Sequence, residues 1–286
     1  MKWMIQSELF SIYKRGLLFL FLTLCIQLDA QEICGNGIDD NSDGRVDESY
    51  PADIEDYLIL WLKADIGFGG GIWLDQSPHS NDATISGNPT QISNGMNFNS
   101  AIDFDGNDEV YSNLPQLAFD GTANHLVIFA VYQPDNSSTS QGIFGNQVGS
   151  GVSNVNVSNG NVSMGVGSGD ISVPSFFTDD VHLLTWVVDE EDIVEGSSSR
   201  IYRNGSLITN LNYNENSAGS VNSDFYIGSS GTNASSLYLD GKVAEFLIYH
   251  RTDGNVSLNA NQIQKIESYL AMKFGIELSK DYLGHQ

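Results

Sequence analysis

The chain has 286 residues, of which 41% are hydrophobic and 10% aromatic, enough for one large domain with small appendages. Its 12 bases stand against 36 acids, a net charge of −24. Nucleic acid and anionic membrane surfaces are therefore excluded as expected partners, because each repels a polyanion, whereas divalent cations suit such a surface.

From the N-terminus, Lys14 and Arg15 precede the apolar run from Gly16 to Leu28, and Leu28-Asp29-Ala30 offers a cleavage site before Gln31. Residues 1–30 read as a secretory signal peptide. The run is short for a membrane span, so no membrane insertion is expected after cleavage. A lipoprotein signal fits less well, since Cys25 follows Leu24 where a small residue belongs. Cys25 lies inside the signal, which leaves Cys34 alone and no intrachain disulfide in the mature chain. The protein is expected to be secreted, extracellular or held at the cell surface.

An acidic stretch follows, EICGNGIDDNSDGRVDE. Asp39, Asn41 and Asp43 alternate, and Gly44 comes next. Alternate oxygens can face one ion, and glycine permits the sharp turn of a calcium loop. The expected Ca2+ ligands are Asp39, Asn41, Asp43, the carbonyl of Arg45, Asp47 and Glu48. An EF-hand would place Glu where Tyr50 stands, so the loop is not an EF-hand. The bland alternative is a disordered acidic linker. The stretch resembles a short metal-binding motif of secreted bacterial proteins, CxNGxDDNxDGxxDE. Ser49-Tyr50-Pro51 stands where such motifs often carry a second cysteine, so order in this loop is expected to depend on the ion.

The main domain should open with a strand over Tyr57 to Ala64. Four glycines between Gly67 and Gly71 form a turn; no Lys-Ser/Thr follows, so they are not a phosphate-binding loop. Trp73 to Ser77 and Asn81 to Thr84 bracket another turn. Ala101 to Asp105 alternates apolar and acidic residues, as a half-buried strand does, and Gly106-Asn107-Asp108 turns. His125 to Gln133 is continuously apolar, the pattern of a strand covered on both faces. Residues 134–170 are rich in Ser, Asn and Gly, with short strand-like pieces at Ile143-Phe144 and Val162 to Val166. Val181 to Asp189 is a central strand. Ser199 to Gly205 begins the next, and Asn204-Gly205 is a hairpin signal before Ser206 to Ile208. Asp224 to Gly228 and Val243 to Tyr249 are the last strands. Asn259 then N-caps a helix with its apolar stripe on Ile263, Ile266, Leu270 and Phe274, and Gly275 ends it. Short strands with turns between them and no βαβ alternation predict an all-β, antiparallel β-sandwich with one C-terminal α-helix. Two layers should share one apolar interior, closed by the helix.

The blocks HLLTWVVD, RIYRNGSLI and FYIGSSGTNASSLYLDGKVAEFLIYHR stand in an order that resembles the laminin-G-like, concanavalin-A-like lectin/glucanase superfamily. The match runs through Trp186, Tyr202, Asn204, Gly205, Ile227, Gly228, Gly241, Ala244, Glu245, Ile248, Tyr249 and Arg251. WLDQSPHSNDAT and AIDFDGND resemble two earlier blocks of the group. The segment IESYLAMKFGI is similar to the end of a subgroup of secreted proteins from Bacteroidota-type bacteria. The resemblance covers about residues 55–277 and implies a jelly-roll sandwich. The expected organisation is a signal over 1–30, the acidic motif over 31–50, a linker over 51–56, the sandwich over 57–278 and a tail over 279–286.

The resemblance also implies candidate chemistry. Glycosidases of the superfamily use an ExDxxE strand, and Glu190, Asp192 and Glu195 have that spacing. They follow a strand into Gly196-Ser197-Ser198-Ser199, and Glu191 is acidic where an aliphatic residue belongs, so a solvated loop is expected and the protein is expected not to be an enzyme. The histidines His79, His125, His182, His250 and His285 show neither nucleophile nor zinc spacing. A second metal site would draw on Asp75, Asn81, Asp103, Asp105 and Asp108, against the alternative that these only shape turns. Trp73 is expected to be exposed and to stack on a sugar, while Trp61 and Trp186 belong to the core. The expected function is an exported binding or adhesion module for a carbohydrate or surface polymer, supported by Ca2+. The alternatives are a structural spacer among neighbouring domains of a large adhesin, and a glycoside hydrolase.

Overall fold

A computed structural model describes residues 50–114, 125–136, 138–145, 152–158, 161–167, 169–173, 178–189, 199–211, 224–230, 237–251, 255 and 257–283. The chain divides into two units, Met1–Ser49 and Tyr50–Gln286. The first lies outside the described residues, and the signal peptide and the six expected Ca2+ ligands lie there with it.

The second unit runs through β1 (Leu58–Lys63), β2 (Phe68–Gly69), β3 (Ile72–Trp73), β4 (Ala83–Ser86), β5 (Thr90–Met96), β6 (Asn99–Asp105), β7 (Glu109–Asn113), β8 (His125–Pro134) and β9 (Gln141–Gly145). It continues through β10 (Val152–Ser158), β11 (Asn161–Gly167), β12 (Gly169–Val173), β13 (His182–Asp189), β14 (Ser199–Arg203), β15 (Ser206–Leu211), β16 (Asp224–Ile227), β17 (Asp240–Arg251) and the helix α1 (Ala260–Phe274). The strands form two antiparallel sheets. The first has the order β15-β14-β13-β8-β17-β6-β5, with β1 also paired to β17. The second has the order β12-β11-β10-β9-β16-β7-β4-β3-β2. The all-β sandwich with a C-terminal helix is thus what the chain adopts.

β17 is the axis of the first sheet. β8 pairs with it along one flank, from Gly241 opposite Pro134 to Arg251 opposite His125. On the other flank β6 takes Asp240 to Val243 and β1 takes Glu245 to Tyr249. The register slips between Val243 and Glu245, a bulge at the point where β6 gives way to β1. β8 alternates strictly: Leu126, Ile128, Ala130 and Tyr132 face the second sheet, while Val127, Phe129 and Val131 face α1. Both sides are covered, which explains the unbroken apolar runs of β1, β8, β13 and β17. In the second sheet β7 instead alternates buried and half-buried residues, as a strand with one solvent face does.

There are two cores rather than one. One fills the space between the sheets and holds Trp73, Phe104, Phe144, Trp186 and Phe246. The other lies between the first sheet and α1, and holds Trp61, Phe129, Leu247, Ile266, Leu270 and Phe274. The helix therefore caps the outer face of a sheet and does not close the shared interior. The physical reason is that both faces of the central strands are apolar, so each needs its own cover. Asn259 accepts hydrogen bonds from the amides of Asn261 and Gln262, and Gln262 reaches back to the Asn259 amide, completing a capping box. Gly275 ends the helix with φ 67°, in the left-handed region.

Residues 51–56 differ from the expected linker. Pro51, Ala52 and Ile54 are buried, and Ala52 and Ile54 join the core under the helix. The tail also packs: the Ser279 amide donates to the Asn204 carbonyl, and Lys280 pairs with Glu267. Both segments carry apolar or charged groups whose partners lie on the helical layer.

Leu270 is fully buried beneath α1, whereas Met272 is 57% exposed. Leu270→Ala should lower the unfolding free energy by about 2–5 kcal/mol, and Met272→Ala by less than about 0.5 kcal/mol. Urea titration of the two variants distinguishes them; equal losses would mean that α1 does not cover the sheet.

Candidate functional site

The residues expected to carry function fall in different places. Trp73 is a correction. It is fully buried, its Nε1 donates to the Lys63 carbonyl at 2.9 Å, and its ring meets Phe68 edge-on at 5.6 Å. Its strand is only two residues long, with Ile72 outward and Trp73 inward, so the indole fills the core between the sheets and cannot stack on a sugar.

Four of the five side chains of the second metal site are engaged by protein groups. Asp75 accepts from the Trp61 amide at 2.8 Å, the Ser77 amide at 2.8 Å, Ser77 Oγ at 2.6 Å and the Asn81 amide at 2.7 Å. Asn81 Nδ2 donates to the Ile59 carbonyl. Four donors saturate the carboxylate and lace residues 75–81 to β1. Asp108 is fully buried and accepts from the amides of Asn88 and Asp105. Asp103 and Asp135 flank Lys242 at 3.7 and 2.5 Å. Burial, partly offset by Lys242, raises the pKa of Asp103. Asp105 is exposed, opposite Asp240. Among the described residues no group of three or more His, Cys, Asp or Glu is arranged to hold a metal ion. Asp75, Asn81 and Asp108 thus hold turns together, the alternative that the sequence offered for them. Glu190, Asp192 and Glu195 fall between β13 and β14, which are antiparallel neighbours with Val188 opposite Ser199, and lie outside the described residues.

Two fully buried carboxylates tie α1 to the first sheet. At the β17 bulge, Glu245 accepts from Trp61 Nε1 at 2.7 Å, Lys273 Nζ at 2.8 Å and Tyr269 Oη at 3.1 Å. Burial lowers the pKa of Lys273, but Glu245 and Asp65 outweigh it and hold the ammonium above its ordinary range. Two residues before Tyr269 on the helix, Glu267 accepts from Thr185 Oγ1 at 2.8 Å and pairs with Lys280. These contacts fix how the C-terminal end of α1 sits.

That end seats the feature that sequence reasoning missed. β5 and β6 join through a two-residue turn, Asn97-Phe98, with Met96 opposite Asn99. Both turn residues have positive φ, 44° and 66°. Such a turn suits the strand twist, but the left-handed region favours Asn and Gly and is strained for an aromatic residue. The tip is pinned: Asn97 Nδ2 and Asn99 Nδ2 donate to the Lys273 carbonyl at 3.2 and 2.8 Å. Phe98 itself is 88% exposed, far more than any other large hydrophobic side chain among the described residues. The available signal was Asn97 and Asn99 around a lone aromatic, which no hairpin template flags.

The sequence matches no family model and no curated protein. Solved structures do match in shape. Botulinum neurotoxin type C, whose cell entry is dependent upon interaction with two ganglioside molecules, is 12% identical with a TM-score of 0.55 over 77% of this chain and 52% of its own. The binding domain of botulinum neurotoxin DC, solved with rat synaptotagmin II, is 11% identical with a TM-score of 0.56 over 76% of this chain and 52% of its own. Trypanosoma rangeli sialidase in complex with sialic acid is 15% identical with a TM-score of 0.54 over 77% and 34%. This chain thus spans a third to a half of the solved chains it matches. What they share with it is the β-sandwich fold. No helix among the described residues is long and apolar enough to cross a membrane.

One titration is built into β17, which carries His250. Burial, reinforced by the nearby His125, lowers His250 from 6.5 to about 4. The unfolded chain takes up that proton near 6.5 and the native chain only near 4, so the unfolded state binds more protons between the two values. The stability contributed is complete above about 6.5 and is lost as pH falls towards 4, by up to about 3 kcal/mol. Urea midpoints measured from pH 7 to pH 4.5 should fall, and His250→Phe should flatten the fall; an unchanged slope in that variant would exclude His250 as the cause.

Proposed function

We propose that the chain is an exported binding module for glycans or surface polymers, acting at or outside the cell surface without catalysis. The observation that carries this is the shared sandwich. The cell entry of one neighbour of this fold is dependent upon interaction with two ganglioside molecules, and another was solved in complex with sialic acid. The laminin-G-like resemblance of the three C-terminal blocks points the same way. So does an exposed aromatic on a pinned hairpin, since binding sites sit on loops that a rigid scaffold positions. A role as a spacer in a larger adhesin is the second reading, favoured by the few large hydrophobic side chains exposed among the described residues.

A glycan array probed in millimolar calcium should show retention on at least one saccharide; an array blank at micromolar protein would remove the glycan reading and leave the spacer.

We further propose that Asp39, Asn41, Asp43, the Arg45 carbonyl, Asp47 and Glu48 hold Ca2+. Oxygen donors at alternate positions before a glycine are the chemistry that this cation takes. At a hundredfold excess of free calcium over Kd, one site adds about 2.7 kcal/mol to the stability of whatever it orders. Isothermal titration should show calcium uptake that Asp43→Ala abolishes; equal heats from both proteins would exclude this loop.

A further inference from the structure

We propose that Phe98 is the contact residue of the glycan site and that the saccharide it takes is uncharged, a proposal that rests on the glycan reading above. The backbone supplies the first argument. A left-handed phenylalanine costs stability that glycine or asparagine would not, and nothing in the fold repays it, because the ring is 88% exposed. Strain retained at a solvent-facing aromatic is the signature of a side chain kept for what it touches outside the fold.

The seat supplies the second. The tip is held on the helix end by the Asn97 and Asn99 amides, and that end is held on the sheet through Lys273 and Glu245. A ring on so rigid a mount loses little freedom when it binds. Ser93 and Asn94, exposed on β5 of the same hairpin, and the side-chain oxygen of Asn97 next to Phe98 in the chain add hydrogen-bonding groups to this hairpin. A sugar presents an apolar C–H face ringed by hydroxyls, which one aromatic ring with polar neighbours can match. A protein interface would want a wider apolar patch than a single ring.

Charge supplies the third. Residues 50–286 carry 28 acids and eight bases. Lys242, Lys273 and Lys280 are committed to carboxylates, and Lys63 and Arg251 lie over the rings of Trp61 and Tyr57. Lys273, the base anchored beneath the tip, already answers Glu245 and Asp65. An acidic sugar or an anionic membrane would approach this rim against a net repulsion.

The test uses the full mature chain, passed over immobilised neutral polysaccharides (mannan, laminarin, xyloglucan) and acidic ones (alginate, heparin) at low salt. Wild type should be held by a neutral polymer and not by the acidic ones. Phe98→Gly should weaken that retention about tenfold or more while raising Tm by about 2–4 °C, and Phe98→Trp should keep it. Undiminished binding by Phe98→Gly overturns the contact, and so does a fall in its Tm, which would make the ring structural. Equal retention on alginate or heparin overturns the uncharged ligand. No retention of wild type on any polymer overturns the glycan reading itself, and this proposal with it.

Discussion

The fold depends on covering the central sheet twice. β1, β8, β13 and β17 are apolar on both faces, so a two-layer sandwich alone would leave a greasy surface exposed. α1 supplies the missing layer with Ile266, Leu270 and Phe274, and Pro51 to Ile54 extend it. Apolar packing is non-directional and does not by itself set how a helix lies on a sheet. Direction comes from two buried carboxylates, Glu245 and Glu267, each answered by a lysine and by neutral donors. Buried ion pairs add little net stability, but an unmet charge there is costly, so they penalise every other placement of the helix.

The bulge in β17 makes this possible. It brings Ala244 and Glu245 in succession to the helical side, one to the core and the other to the ion pair. Glu245 was legible only as part of a family pattern. Its role comes from Trp61 on β1 and from Tyr269 and Lys273 on α1, which lie 184, 24 and 28 residues away.

Much of the scaffold could be read from residues alone. The apolar runs marked the doubly covered strands, Asn204-Gly205 marked a hairpin, and Asn259 and Gly275 marked both ends of the helix. These signals are local. What failed was orientation. A one-residue shift along a short strand turns Trp73 from a solvent-facing platform into core, and no periodicity can be read from two residues. The acidic residues from Asp75 to Asp108 left two uses open, because the oxygens that bind a cation also cap amides, and only the three-dimensional arrangement of donors shows Asp75 and Asp108 capping amides. Phe98 is set apart only by a backbone angle and an exposure, and neither is written in residue type.

The two halves of the first sheet, β15-β14-β13-β8 on one side and β6-β5 with β1 on the other, are joined only by β17. Its partners β1, β6 and β8 all precede it in the chain, as do β5, β13, β14 and β15, and the helix that covers its outer face comes after it. A polypeptide emerging from its N-terminus holds flanks without a spine until nearly all of it has been made. The contacts that unite the two halves of this sheet, and the core beneath α1, are therefore among the last that the growing chain can make.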